Sequence, residues 1–408
     1  MMKNIFKHIG PGTFVAAAFI GPGTVTVCTL AGVQFGFTLL WAMVLSIVAT
    51  LVLQEMAARL GLVYGKGLAE AVKTEIRTPI FKIIAIILIL SAIIVGNAAY
   101  EAGNISGAML GLDSFIVENS IVISEFEINY LSFIIGAIAF AFLYIGNYKV
   151  MERLLIGLVI LMSLSFLVTA IITKPDYGAI LKAIFIPKLP KEGLFMVLGL
   201  VGTTVVPYNL FLHASLVKEK WKGVEELPIA KKDALVSIVL GGLVSLAIII
   251  SAAAVGNIAI TDVGGLAKGL EPLYGSYARY FLSIGLFAAG ITSSITAPLA
   301  ASYVARDSFG WEGGLKSRKF RSVWMTILIL GILFSSVGFK PIEVIQFAQV
   351  ANGLLLPVLA GFLLWVVNRK SVLGVYKNSK LQNVLGLIIF ITTIILGVFS
   401  LLKVFGLW

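Results

Sequence analysis

The chain predicts an all-α integral membrane protein of eleven spans, arranged as two inverted repeats of five plus one accessory helix. Three observations predict it. Hydrophobic residues make up 59% of the 408 and charged residues only 12%, far from the usage of soluble domains. Apolar runs of about 20 residues, each long enough to cross a hydrocarbon core, recur from end to end. Two of these runs are interrupted at their centres by glycine or proline, at Phe19-Ile20-Gly21-Pro22-Gly23-Thr24-Val25 and at Val205-Val206-Pro207-Tyr208-Asn209-Leu210.

The spans fall at 13–31, 38–58, 81–110, 131–146, 151–173, 194–217, 234–260, 276–305, 321–338, 343–368 and 382–405. The first follows a short basic start with no small-residue cleavage site, and it contains a break. It therefore reads as a retained helix and not a signal peptide. A net charge of +11 raises the question of nucleic acid, and its placement answers it. With the N-terminus cytoplasmic, roughly three-quarters of the Lys and Arg residues fall on the inner side, which is the positive-inside pattern. Among them are Lys3, Lys7, Arg59, Lys66, Lys73, Arg77, Lys231, Lys232, Arg318, Lys319, Arg321, Arg369 and Lys370. The 111–130 loop carries Asp113, Glu118, Glu125 and Glu127 without a basic residue, as an outer loop does. The 174–193 loop, with Lys174, Lys182, Lys188 and Lys191, is the exception. The basic excess is thus topological, and no nucleic-acid partner is expected. An eleventh span places the C-terminus outside, in a multi-pass protein of a prokaryotic-type cell membrane with the lipid bilayer as its surroundings.

The breaks organise the rest. Proline removes a backbone donor and clashes with the preceding turn, so a helix opens there. Open backbone in lipid is costly unless it faces protein or a water-filled cavity. One break begins the segment 12–173, holding spans one to five; the other begins 194–368, holding spans six to ten. Five is odd, so the second set enters from the opposite side, and 382–405 is left as an accessory helix. Paired broken helices at matching places in inverted halves point to the binding site of a secondary transporter.

Other chemistries are excluded by count. Cys28 is the only cysteine and the histidines are His8 and His213, so a zinc or iron cage of the usual kind cannot be assembled. There is no Gly-x-x-x-x-Gly-Lys-Ser/Thr element for ATP. Neither an enzyme nor a cofactor is expected.

Several motifs taken together resemble the Nramp family of metal-ion transporters. They are Gly10-Pro11-Gly12, Gly21-Pro22-Gly23, Gly36-Phe37-Thr38-Leu39-Leu40-Trp41, Gln54 with Ala58-Arg59-Leu60-Gly61, Pro207-Tyr208-Asn209-Leu210-Phe211-Leu212-His213, and the spacing from Gln349 to Pro357. The resemblance implies a LeuT-type fold with substrate held between the unwound parts of spans one and six. It also exposes departures. Where the family has Asp-Pro-Gly-Asn, this chain has Gly21-Pro22-Gly23-Thr24; where it has Met-Pro-His-Asn, this chain has Val206-Pro207-Tyr208-Asn209. The ligating Asp, Asn and Met thus become Gly21, Thr24 and Val206. In span three, an acidic pair used for proton movement becomes Ala98 with Glu101.

These departures set the expected chemistry. A thioether favours late transition metals, and Val206 offers none. A carboxylate offsets the dehydration of a dication, and Gly21 offers none. What remains around Pro22, Gly23 and Pro207 is the hydroxyl of Thr24, the phenol of Tyr208, the amide of Asn209 and freed carbonyls near Ala18 and Thr203. Thr24 and Asn209 are the remaining candidate metal donors, although both can equally satisfy freed backbone. Val206 reads as a steric wall. Gln349 belongs to an amide stripe with Gln346 and Asn352, and the family uses its position. Glu101, an intramembrane carboxylate, is a candidate polar or proton pathway residue, together with His213, Gln54 and Asn352. The neutral donor set favours an inorganic cation of the hard divalent class, such as magnesium over manganese or iron, moved without the family's proton coupling. A small polar or anionic organic solute is the alternative, and a non-transporting sensor or binding protein is the third reading.

Overall fold

The computed structural model describes residues 20–116, 120–123, 126–146, 149–312 and 314–406. Ala18 and the Gly10-Pro11-Gly12 motif lie outside the described residues, as do His8, Glu118 and Glu125.

Helices follow the apolar runs. They are α1 (Pro22–Phe35), α2 (Leu40–Arg59, continued by one π-helical turn to Tyr64), α3 (Pro79–Leu112), α4 (Leu131–Ile145), α5 (Lys149–Ile172) and α6 (Gly193–Thr204). There follow α7 (Pro207–Lys220), α8 (Leu227–Ala253), α9 (Ala278–Phe309), α10 (Arg318–Ser336), α11 (Pro341–Val367) and α12 (Lys380–Val404). Nine helical stretches among the described residues are long and apolar enough to cross a membrane, with α6 and α7 making up one of them. The run predicted at 131–146 gives the shorter α4, closed by Gly146 in the left-handed region at φ 68°. Proline at the first turn starts α1, α3, α7 and α11, where its missing N–H costs nothing. The predicted 111–130 loop contains a short antiparallel hairpin, Ser120–Ile123 with Phe126–Asn129.

The 34-residue α3 runs for about 51 Å and is the central post, packed against α9, α10 and α11. Helix α1 lies along α8, α6 lies along α11, and α12 covers α11 and α2. Small residues permit these approaches, as expected where lipid offers no hydrophobic drive between helices. A methyl group built on Gly202 of α6 would overlap the carbonyl of Gln349 in α11. One built on Gly61 would overlap the carbonyl of Ala214 in α7. Gly157, on the exposed side of α5, has open space around it.

At one end of the bundle, buried charges join the helices. Arg59 (3% exposed) donates to the carbonyl of Tyr376 at 2.7 Å, to Asn378 Oδ1 at 2.6 Å and to Glu55 Oε2 at 3.0 Å. Glu55 also pairs with Lys231 Nζ at 2.8 Å and accepts from Gln382 at 3.3 Å. Arg59 thereby ties α2 to the segment before α12, and Glu55 links α2 to α8 and to the start of α12. Nearby, Asp307 of α9 accepts from Ser215 Oγ of α7 at 3.1 Å and pairs with Arg306 at 3.1 Å and Lys218 at 3.9 Å.

Two stability predictions follow from this packing. Gly202→Ala lowers the melting temperature of the purified protein, because a backbone carbonyl cannot yield and overpacking costs about 1–3 kcal/mol; Gly157→Ala leaves it unchanged within error. Arg59→Met costs about 3 kcal/mol, the lower end for a broken buried pair, because Glu55 keeps Lys231; differential scanning calorimetry reads the loss.

Candidate functional site

The start of α1 at Gly21 and the break between α6 and α7 lie together inside the bundle. Gly21 caps α1 in an extended conformation, and its carbonyl accepts from Val25 N at 3.2 Å. On the other side α6 ends at Thr204, Val205 and Val206 leave helical geometry, and α7 restarts at Pro207. The Val206 carbonyl is not left free: it accepts from Asn209 N at 3.0 Å. What joins the breaks is a pair of hydroxyls, Thr24 Oγ1 and Thr203 Oγ1, 2.8 Å apart and fully buried. Thr203 therefore takes part through its side chain, whereas the sequence reading assigned it a carbonyl.

Gln349 of α11 closes over the first break. Its amide occupies the space in which a side chain at Gly23 would stand, so the missing Cβ is what admits it. Asn209 and Gln349 are each 1% exposed. Their carbonyl oxygens, Asn209 Oδ1 and Gln349 Oε1, have no hydrogen-bond partner among the described residues. Asn209 Nδ2 is unpaired among the described residues as well; since buried polar atoms are nearly always paired, these amides are candidate contacts for a guest. Val206 is completely buried and apolar, and forms a wall. Tyr208 packs its ring edge-on against Tyr100 of α3, centroids 5.4 Å apart at 69°. Pro22 packs on Gly107 of α3. No cluster of three or more His, Cys, Asp and Glu side chains occurs among the described residues.

A second polar group flanks the first. Glu101 is fully buried on α3, accepts from Asn104 Nδ2 at 3.4 Å, and lies near Ser294 of α9 and against Gly331 of α10. Its Oε1 and both polar atoms of Asn97, one turn away, are unpaired among the described residues. Towards the Arg59 end, His213 Nδ1 and Gln54 Oε1 are 2.8 Å apart. Two residues 159 positions apart in sequence are thus brought together, with His213 Nε2 left without a partner among the described residues. Asn352 lies beside Gly96 with its Nδ2 unpaired. Sequence reasoning missed the Asp307 cluster. An adjacent Arg306-Asp307 pair at a span end was its only signal, and the partner Ser215 is remote in sequence.

The buried centre is closed, but a cavity descends towards it from the end opposite Arg59. An outer lobe of about 510 Å³ is lined by Glu192, Asn257 and the 258–260 segment. A narrower lobe of about 190 Å³ reaches Val27, Gly199 and Val350. Those three stand one helical turn or less from Thr24, Thr203 and Gln349.

Comparison with known proteins places this architecture. The family profile described as "Natural resistance-associated macrophage protein-like" (Nramp) matches residues 12–403. The divalent metal cation transporter MntH of Caldanaerobacter subterraneus subsp. tengcongensis is 26% identical over 95% of this chain and 91% of its own. That of Bacillus subtilis is 24% identical over 99% and 93%. Among solved structures, the Eremococcus coleocola manganese transporter superposes with a TM-score of 0.76 at 20% identity, covering 98% of this chain and 87% of its own. The fold is all-α, multi-spanning and related to the LeuT and Nramp transporters, with discontinuous helices.

These findings correct the expected function. Magnesium in preference to manganese or iron, the organic-solute alternative and the non-transporting sensor do not stand against relatives that are divalent metal cation transporters along almost their whole length. The neutral lining at Gly21, Thr24 and Val206 therefore does not by itself set the ion class. The chain is a membrane transporter, not an enzyme, and it belongs to the Nramp family.

Proposed function

We propose that this protein is a secondary transporter of a divalent metal cation of the manganese type, working by alternating access. The observation that carries the reading is the pair of orphaned carbonyl oxygens, Asn209 Oδ1 and Gln349 Oε1, beside the Thr24–Thr203 hydroxyls at the meeting point of two interrupted helices. It is supported by MntH relatives that align with nearly the whole chain. Amide and hydroxyl oxygens suit manganese as well as harder ions. Such a neutral set leaves the ion part of its hydration.

In this reading the chain crosses the bilayer eleven times, as repeats 12–173 and 194–368 with 382–405 outside them. The N-terminus is cytoplasmic and the C-terminus extracytoplasmic, so the Arg59 end faces the cytoplasm. Gly21, Pro22, Gly23 and Pro207 open the backbone. Thr24, Thr203, Asn209 and Gln349 hold the ion, Tyr208 and Val206 shape the pocket, and Glu101, Asn352, His213 and Gln54 provide a polar pathway beside it. The ion enters from the Glu192 end. Opening the other end requires α7 to part from α9, which breaks the Ser215 and Lys218 contacts to Asp307.

Proteoliposomes loaded with a manganese-sensitive dye test the assignment. Wild type takes up Mn²⁺ faster than protein-free vesicles, and Asn209→Ala and Gln349→Ala each reduce uptake by about tenfold or more, the loss common when a metal's supporting groups are removed. Absence of flux for every dication tried overturns the transporter assignment; wild-type flux in both variants overturns the site. The triple variant Gly21→Asp, Thr24→Asn, Val206→Met adds a carboxylate and a thioether and binds Mn²⁺ more tightly than wild type by isothermal titration calorimetry.

A further inference from the structure

The two donor types that the breaks lack, a carboxylate and a thioether, occur together one level higher. Glu192 and Met196 are four residues apart on α6, so they share a helix face, and both line the 190 Å³ lobe above the buried centre. Gln34, at the end of α1, and Gln346 of α11 line the same lobe. Glu192 is the N-cap residue of α6 but makes no capping hydrogen bond. Lys191 is its neighbour, and Lys403 donates to the Lys191 carbonyl at 3.2 Å and lies 5.3 Å over the Phe195 ring. Neither lysine forms an ion pair with Glu192 among the described residues, so its carboxylate stands uncommitted at the mouth of the lobe.

From this arrangement we propose that Glu192 and Met196, aided by the amide oxygens of Gln34 and Gln346, form an antechamber site that captures a partly hydrated, borderline-soft divalent metal ion before it reaches the buried centre. The proposal rests on the divalent-metal reading above. The carboxylate offsets the ion's charge, and the thioether discriminates late transition metals from magnesium and calcium. At about 30 Å³ per water, the lobe holds an ion with several waters. Its lining residues Val27, Gly199 and Val350 lie within four positions of Thr24, Thr203 and Gln349 in sequence. Selection by softness is thereby moved out of the breaks and onto the helix that leads to one of them.

The test is calorimetric titration of tag-free, full-length protein in lipid nanodiscs with CdCl₂, MnCl₂ and MgCl₂. Met196→Leu, a swap of similar volume that cores tolerate, weakens Cd²⁺ binding by about tenfold or more and changes Mg²⁺ binding by less than about twofold. Glu192→Gln weakens both Cd²⁺ and Mn²⁺. Unaltered melting temperatures show that each variant is folded. Wild-type Cd²⁺ affinity in both variants overturns the antechamber site. Mn²⁺ flux in vesicles is read separately. Flux that persists while the variants bind Cd²⁺ like wild type sinks this site and leaves the transporter standing. Cd²⁺ binding that depends on Met196 in a protein that moves no dication supports the site and sinks the transporter reading.

Discussion

A helix that opens inside a bilayer must hide its freed backbone, and the centre of this protein is arranged around that requirement. Lipid offers no hydrogen bonds, so the interruption before Pro207 is tolerated where it faces protein. The Val206 carbonyl is taken by Asn209 N, and Thr24 and Thr203 bond to each other. The surrounding helices must then come close. Pro22 rests on Gly107 of the long α3, α11 presses its Gln349 backbone on Gly202, and the Gln349 side chain uses the gap at Gly23. Small residues at these points are consequences of the breaks, since a larger side chain at any of them would push a neighbouring helix away and expose the opened backbone.

The same requirement explains what could be read from sequence. Proline acts on its own helix, so Pro207 announces an interruption and Pro22 a helix start without knowledge of the fold, and apolar runs announce most of the helices. The partners of the break residues could not be read in this way. Thr24 and Thr203 are 179 positions apart, and Arg59 is 319 positions from Asn378; no local periodicity encodes such pairs. The hairpin at 120–129 is equally hidden, because its strands are too short for alternation to register. The substrate was misjudged for a related reason. Counting the side chains absent at Gly21 and Val206 says which ligands are missing, not which ion the remaining donors accept.

The two ends of the bundle are built differently. At the Arg59 end, buried charges join α2, α8 and α12, and Asp307 joins α9 to α7. At the Glu192 end, the cavity reaches to within about a turn of the buried hydroxyl pair. Charged contacts of this kind suit a door that must open and close. Each ion pair is strong when desolvated but is readily replaced by water once the helices part, so closure is specific without being permanent. Apolar packing alone would give a seam with no preferred register.

A divalent ion crossing such a protein has to be attracted and then released. A site that supplies both full charge compensation and soft ligation at the buried centre binds firmly, and the ion then leaves slowly. Transport needs binding favourable enough to enter and weak enough to exit. Here the centre is neutral, made of hydroxyl and amide oxygens around Thr24, Thr203, Asn209 and Gln349. The carboxylate of Glu192 and the thioether of Met196 stand apart from it in the approach cavity. In the proposed mechanism, separating the two tasks lets the approach choose the ion while the centre, unable to strip it completely, lets it go. The carboxylate and thioether absent from Gly21 and Val206 are then redistributed along the path, with the cost of final dehydration reduced at the proposed central site.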